Sequence, residues 1–139
     1  MKPKVVFDTN IYISGIIFGG NPRTCMELAR EKEVELVTSS DILLEIAKKL
    51  KDKFKWTNQE IQEVIEGISK FANIVKPKKR LSVIKADPSD NKILECAQEL
   101  KANYIVSGDI KHVLAIEKFK GIKIVSAKNF LDIFYQKTK

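Results

Sequence analysis

Four short β-favouring runs, Val5 to Phe7, Glu33 to Thr38, Tyr104 to Ser107 and Ile122 to Val125, are separated by segments whose apolar residues recur at helical spacing. This alternation constrains the fold more than any other feature. Strands joined through helices run parallel, and a parallel sheet has to be covered by helices on both faces. The pattern predicts a three-layer α/β/α fold around a parallel sheet of four to five strands.

Punctuation between these runs supports the same organisation. A helix-compatible pattern follows the first run from Ile11 to Phe18, Gly19-Gly20-Asn21-Pro22 breaks it, and a second helix resumes from Arg23 to Lys32. Ser39-Ser40-Asp41 supplies N-cap residues for a helix carrying Ile42, Leu43, Ile46, Ala47, Leu50 and Phe54. Thr57 to Glu60 has the capping-box pattern and opens a helix to about Phe71. Asn73 to Val75 precedes Pro77 and is predicted as an edge strand, since proline interrupts a central one. Asp87 and Pro88 mark another helix start, as N-cap and first helical residue, with Ile93, Leu94, Ala97 and Leu100 as its buried stripe. A last helix is expected from about Ala127 to Gln136. No repeat or linker divides the chain, so residues 1–139 are expected to form one domain.

The composition bounds the setting. A hydrophobic fraction of 44% with 31% charged residues is globular, and no apolar run approaches the roughly 20 residues that span a bilayer. No membrane partner is expected, and the absence of an apolar leader segment suggests a cytoplasmic protein. Cys25 and Cys96 lack C-x-x-C spacing and are expected as reduced, part-buried thiols. The excess of 25 Lys+Arg over 18 Asp+Glu, a net charge of +7, favours a polyanionic partner but also serves solubility.

Three of the acids Asp8, Glu45, Asp90 and Asp109 stand just past a strand or at a helix start. In a parallel sheet the carboxyl ends of the strands share one edge, and ligands bind in the crevice there. Carboxylates gathered at that edge would repel unless a cation neutralised them, and hard oxygen donors suit Mg²⁺ or Mn²⁺. Each acid also has a plain structural role open to it. Asp8, before Thr9 and Asn10, is a natural helix cap; Asp87 and Asp90 satisfy a helix N-terminus; Asp109, after Ser107 and Gly108, is a turn residue. The helical pattern puts Glu45 on the polar side, with Lys49 four residues on as an ion-pair partner. His112 has no second nitrogen ligand or nucleophile beside it. Phe54 and Trp56 are candidates either for base stacking or for core packing at a helix end.

With these residues in order, the chain resembles the PIN domain (PilT N-terminus) nuclease family, in the branch of VapC-like toxins of toxin–antitoxin systems. The likeness rests on Val5-Val6-Phe7-Asp8-Thr9-Asn10, Ser39-Ser40 through Glu45, Asp87-Pro88-Ser89-Asp90-Asn91 and Ser107-Gly108-Asp109. It implies a sheet order of 3-2-1-4-5, with the first and fourth strands as central neighbours. It also implies that Asp8, Glu45, Asp90 and Asp109 are catalytic and metal-binding residues. Thr9, Asn10, Asp87, Asn91 and Ser107 would support them. The activity implied is Mg²⁺- or Mn²⁺-dependent hydrolysis of RNA phosphodiester bonds by a water activated on one or two ions. Lys78, Lys79, Arg80 and Lys111 are candidates for holding the RNA, and a small antitoxin and a homodimer are the implied protein partners.

Three other functions fit parts of the pattern. A non-catalytic RNA-binding or scaffold module of the same fold would not need all four acids. A housekeeping RNA-processing nuclease would use the same site without an antitoxin. A phospho-acceptor domain would place a phosphoryl group on Asp8, but such sites want a second acid nearby, whereas Thr9 and Asn10 follow here.

Overall fold

The computed structural model describes residues 2–78, 80–81, 91–108, 113 and 116–137. The elements are β1 (Lys4–Phe7), α1 (Thr9–Ile17), α2 (Gly20–Arg30), β2 (Glu35–Ser39), α3 (Ser40–Phe54), α4 (Asn58–Phe71), β3 (Ala72–Val75), α5 (Asn91–Glu99), β4 (Tyr104–Val106), β5 (Lys118–Phe119), β6 (Ile122–Val125) and α6 (Ala127–Lys137). They form one sheet in the order β3-β2-β1-β4-β6-β5. Every pairing is parallel except the β5–β6 hairpin. Counting the parallel strands alone gives the expected 3-2-1-4-5. The addition is β5, whose two residues are too few to leave a periodic signal in the sequence.

The centre of the sheet is apolar on both faces, as helix cover demands. Val5, Val6, Phe7, Ile105 and Val106 are fully buried, which explains why β1 and β4 read as continuous apolar runs rather than alternating ones. At the edge, β3 pairs with β2 and with no other strand among the described residues, in keeping with Pro77 just beyond it. Thr57 and Glu60 form the full capping box of α4: Thr57 N–H donates to Glu60 Oε1 at 2.9 Å and Glu60 N–H donates to Thr57 Oγ1 at 3.1 Å.

The second helix starts earlier than the sequence suggests. Gly19, with φ of 85°, makes the turn, and α2 begins at Gly20, so Pro22 falls in its first turn, where a missing N–H costs no helical bond. Close packing of α2 on α1 depends on Gly15. A Cβ there would lie 2.6 Å from Met26 Sδ and 3.2 Å from Arg23 N, and Arg23 Nε donates to the Gly15 carbonyl at 2.9 Å. Cys25 and Cys96 are free and fully buried, more so than expected, and burial pushes both thiols up to about 12. Phe54 and Trp56 pack partly buried against the core, with Phe54 edge-on to Phe18. Among the described residues no helix is long and apolar enough to cross a membrane. The Asp87-Pro88 helix start and His112 lie outside the described residues.

Candidate functional site

Because β1 and β4 are neighbours, the residues that follow them open side by side at the carboxyl edge of the sheet. Asp8 N–H donates to the Val106 carbonyl and Ser107 N–H to the Val125 carbonyl, both at 2.9 Å, so the backbone is fixed on each side. Ser107 Oγ then donates to Asp8 Oδ2 at 2.7 Å. Asp8 is only 3% exposed and Ser107 is fully buried.

Asp8 occupies the backbone position of the α1 N-cap, yet its side chain makes no capping hydrogen bond. The contact left toward α1 is with the Asn10 N–H, which favours the charged form without a well-formed cap bond. Its carboxylate is turned across the sheet edge to Ser107. Burial raises its pKa above 3.8. The Ser107 hydroxyl, the nearby Asn10 N–H and the Lys49 charge act against that rise, and the Glu45 charge adds to it.

Glu45 reaches this edge on α3. Ser39 caps the helix, its Oγ accepting from Ile42 N–H at 3.3 Å, and so anchors the first turn beside β1. Lys49 Nζ lies 3.3 Å from Glu45 Oε1, the ion pair that the i,i+4 spacing predicts. The same ammonium donates to Asn10 Oδ1 at 3.1 Å. Both charged side chains are about one quarter exposed, so Glu45 is not a fully solvated surface acid but part of a polar link between α3 and the start of α1. Only the folded chain brings Asn10 to Lys49, 39 residues away.

Thr9 and Asn91 are also buried, at 1% and 3%. Thr9 Oγ1 has no hydrogen-bond partner among the described residues. Asp87, Asp90, Asp109, Lys79 and Lys111 lie outside the described residues. Among those described, no three His, Cys, Asp or Glu side chains gather closely enough to hold a metal. Asp8 and Glu45 are the carboxylates that this part supplies. Their donors are oxygen only and one of them is desolvated, a combination that fits a hard divalent cation.

Of the expected RNA-binding residues, Lys78 is exposed, while Arg80 is engaged with the protein itself. Arg80 Nη1 lies 3.2 Å from Glu95 Oε1 and 3.5 Å from Asp41 Oδ2. Glu95, 6% exposed, also accepts from Leu81 N–H at 2.9 Å, and so ties the segment after β3 to α5. Sequence reasoning passes over Glu95. The signal for it is present in its spacing from Asn91 and Leu94, which places it on the helix's inner stripe.

Residues 4–111 match the family described as PIN domain. The uncharacterized protein MJ1680 of Methanocaldococcus jannaschii is 32% identical over 129 residues, covering 89% of this chain and 82% of that protein. Among solved structures, DNA-bound VapBC from Salmonella typhimurium matches with a TM-score of 0.64 at 18% identity, covering 91% of this chain and 99% of that one. VapBC2 from Rickettsia felis, bound to a DNA fragment from their promoter, matches with a TM-score of 0.60 at 16% identity, covering 87% and 96%. At these identities the structural likeness concerns the fold.

Proposed function

The chain belongs to the PIN domain family, and from that premise we propose that it is a divalent-metal-dependent endoribonuclease, the toxin of a toxin–antitoxin pair. In this reading Asp8, Glu45, Asp90 and Asp109 hold one or two Mg²⁺ or Mn²⁺ ions, supported by Thr9, Asn10, Asp87, Asn91 and Ser107. The observation that carries it is the Asp8 carboxylate, buried at the sheet edge and held by Ser107, with Glu45 within electrostatic reach.

A bound ion supplies an activated water and neutralises charge on the phosphate oxygens. The chain's own groups prepare for that chemistry. Ser107 fixes the orientation of Asp8, so the carboxylate needs little rearrangement to act as a ligand. Lys49 offsets the repulsion between Asp8 and Glu45 and holds Asn10 toward α3. Lys78, Lys79, Arg80 and Lys111 are assigned to the RNA backbone, Arg80 through its exposed guanidinium and Lys78 from the lining of the concavity beside the α5–β4 turn. A small antitoxin and a second copy of the chain are the proposed protein partners. Phe18 and Leu44, 76% and 67% exposed near the end of α1 and on α3, offer apolar surface for such contacts.

The test is cleavage of mixed RNA by wild type, Asp8→Asn and Asp90→Asn in Mg²⁺, Mn²⁺ and EDTA. Either substitution is expected to lower the rate by about a thousandfold, ~4 kcal/mol in the barrier, and EDTA to stop it. Cleavage that survives a substitution or the chelator overturns the proposal. Thermal melting separates catalysis from folding. Since burial raises the Asp8 pKa, its contribution to stability is full below pH 3.8 and is lost as pH rises through the folded value. Asp8→Asn, carrying no charge to bury, is therefore expected to melt no lower than wild type in EDTA at neutral pH. A large drop would make Asp8 a structural residue.

A further inference from the structure

A broad concavity among the described residues lies away from Asp8 and Glu45. It lies at the opposite, amino edge of the sheet, a 620 Å³ cavity between the α5–β4 turn and the β5–β6 hairpin. Beside it, a 540 Å³ cavity runs against α6 and the starts of β1 and β4. A third, of 570 Å³, covers the starts of β1, β2 and β3. The first two share Ala102, Asn103 and Gly121, and the last two share Lys2. Together they make one open groove across the starts of five parallel strands, roughly 19 Å at about 4.8 Å per strand.

Lysines line this groove. Lys2, Lys32, Lys70, Lys101, Lys120 and Lys123 are all exposed along it, and none is ion-paired to a carboxylate among the described residues. The acids on the lining are fewer: Glu35, Glu99 and Glu95, the last already engaged by Arg80. A second observation is independent of the cavities. Of the five non-glycine residues with positive φ among the described residues, Lys32, Lys101 and Lys120 (62°, 51° and 47°) lie in the turns that lead into β2, β4 and β6, while Lys55 and Glu117 lie off the groove. Such positions favour glycine. Turn geometry alone does not call for lysine at three of them on one edge.

We propose that this amino-edge groove is a second RNA-binding surface, holding the phosphodiester backbone of a single strand on the side of the sheet away from the carboxylates. That the polyanion is RNA rests on the ribonuclease reading. The lining favours a nucleic-acid backbone over a protein partner. A protein interface normally has exposed apolar side chains at its centre, whereas Phe71, Phe130, Ile133 and Phe134 on the lining are buried or half-buried against the core and the exposed side chains there are lysines, Asn73 and Asn103. Lysines are point charges that bind phosphates without reading bases.

The test measures binding of a fluorescein-labelled single-stranded RNA by anisotropy across a KCl titration, in EDTA so that no cleavage intervenes. The variant Lys101→Gln/Lys120→Gln/Lys123→Gln is expected to bind about tenfold more weakly, with a salt slope reduced by about 2, near 0.7 for each phosphate no longer neutralised. A control with the same charge change on and just past α3, Lys51→Gln/Lys53→Gln/Lys55→Gln, is expected to stay within about twofold of wild type. The proposal is overturned if the groove variant binds like wild type, if the control loses as much, or if poly-glutamate of equal charge binds as tightly through the same lysines. Cleavage assays keep the two proposals apart. If wild type binds RNA through these lysines but cleaves none, the groove stands and the hydrolysis reading fails. If wild type cleaves RNA while the groove variant binds as wild type does, only the groove fails.

Discussion

At the carboxyl edge of the sheet the acids Asp8 and Glu45 are buried or part-buried and bound to partners; at the amino edge lysines outnumber acids and are exposed, three of them set in turns. Parallel topology accounts for the signs. Helices α1, α3 and α5 start at the carboxyl edge, where the positive ends of their dipoles favour anions, while α2, α4 and α5 finish toward the other, where cations such as Arg30 and Lys70 in the last turns are favoured. The difference in burial teaches something further. A carboxylate such as Asp8 can be kept out of water only with prearranged partners, here Ser107 and the Lys49 charge. A lysine in a surface turn needs none. Geometry at the first edge is therefore costly to disturb, and charge at the second is additive and tolerant.

The largest expected effect that sharpens this contrast comes from Ser107→Ala. Losing the 2.7 Å bond to Asp8 frees the carboxylate to turn and is expected to weaken divalent-ion binding about 10- to 100-fold, read by calorimetric Mn²⁺ titration. An unchanged affinity would mean that the carboxyl edge is as tolerant as the amino edge. Between the edges, Glu95→Ala should cost about 2 kcal/mol in urea unfolding, because it leaves Leu81 N–H without its acceptor and removes the buried carboxylate that joins the segment after β3 to α5. Arg80→Ala, on the 70% exposed side of the Arg80–Glu95 pair, should cost less than about 1 kcal/mol. Equal losses would contradict the role assigned to burial. The smallest effect is expected from Lys101→Gly/Lys120→Gly. Relief of two left-handed positions is partly offset by the flexibility glycine adds to the unfolded chain, so stability should rise by no more than about 1 kcal/mol. A loss of several degrees in melting temperature would show that these side chains hold the turns together.

Much of the fold was legible because its signals are local. The β1 and β4 runs, the Thr57–Glu60 capping box, the Ser39 cap and the edge position before Pro77 all follow from residues adjacent in the chain. What escaped was short or strained: β5 has two residues, and α2 begins at glycines that read as a break. At the site, Asp8 was legible as a strand-end acid, but its bond to Ser107 was not, since the two residues are joined only when β1 and β4 pair. Glu45 was legible as the partner of Lys49 and not as a neighbour of Asp8, since only the first relation lies within one helix.

The sequence by itself determined the alternating elements and the residues at strand ends and helix caps, because each depends on interactions within a few positions along the chain. Tertiary structure alone decided that Ser107 holds Asp8 from 99 residues away and that Lys49 joins Glu45 to Asn10. It also decided that lysines from separate turns line one groove. The physical reason is that desolvation and charge coupling depend on distance in space, and the sheet sets that distance only when distant strands pair.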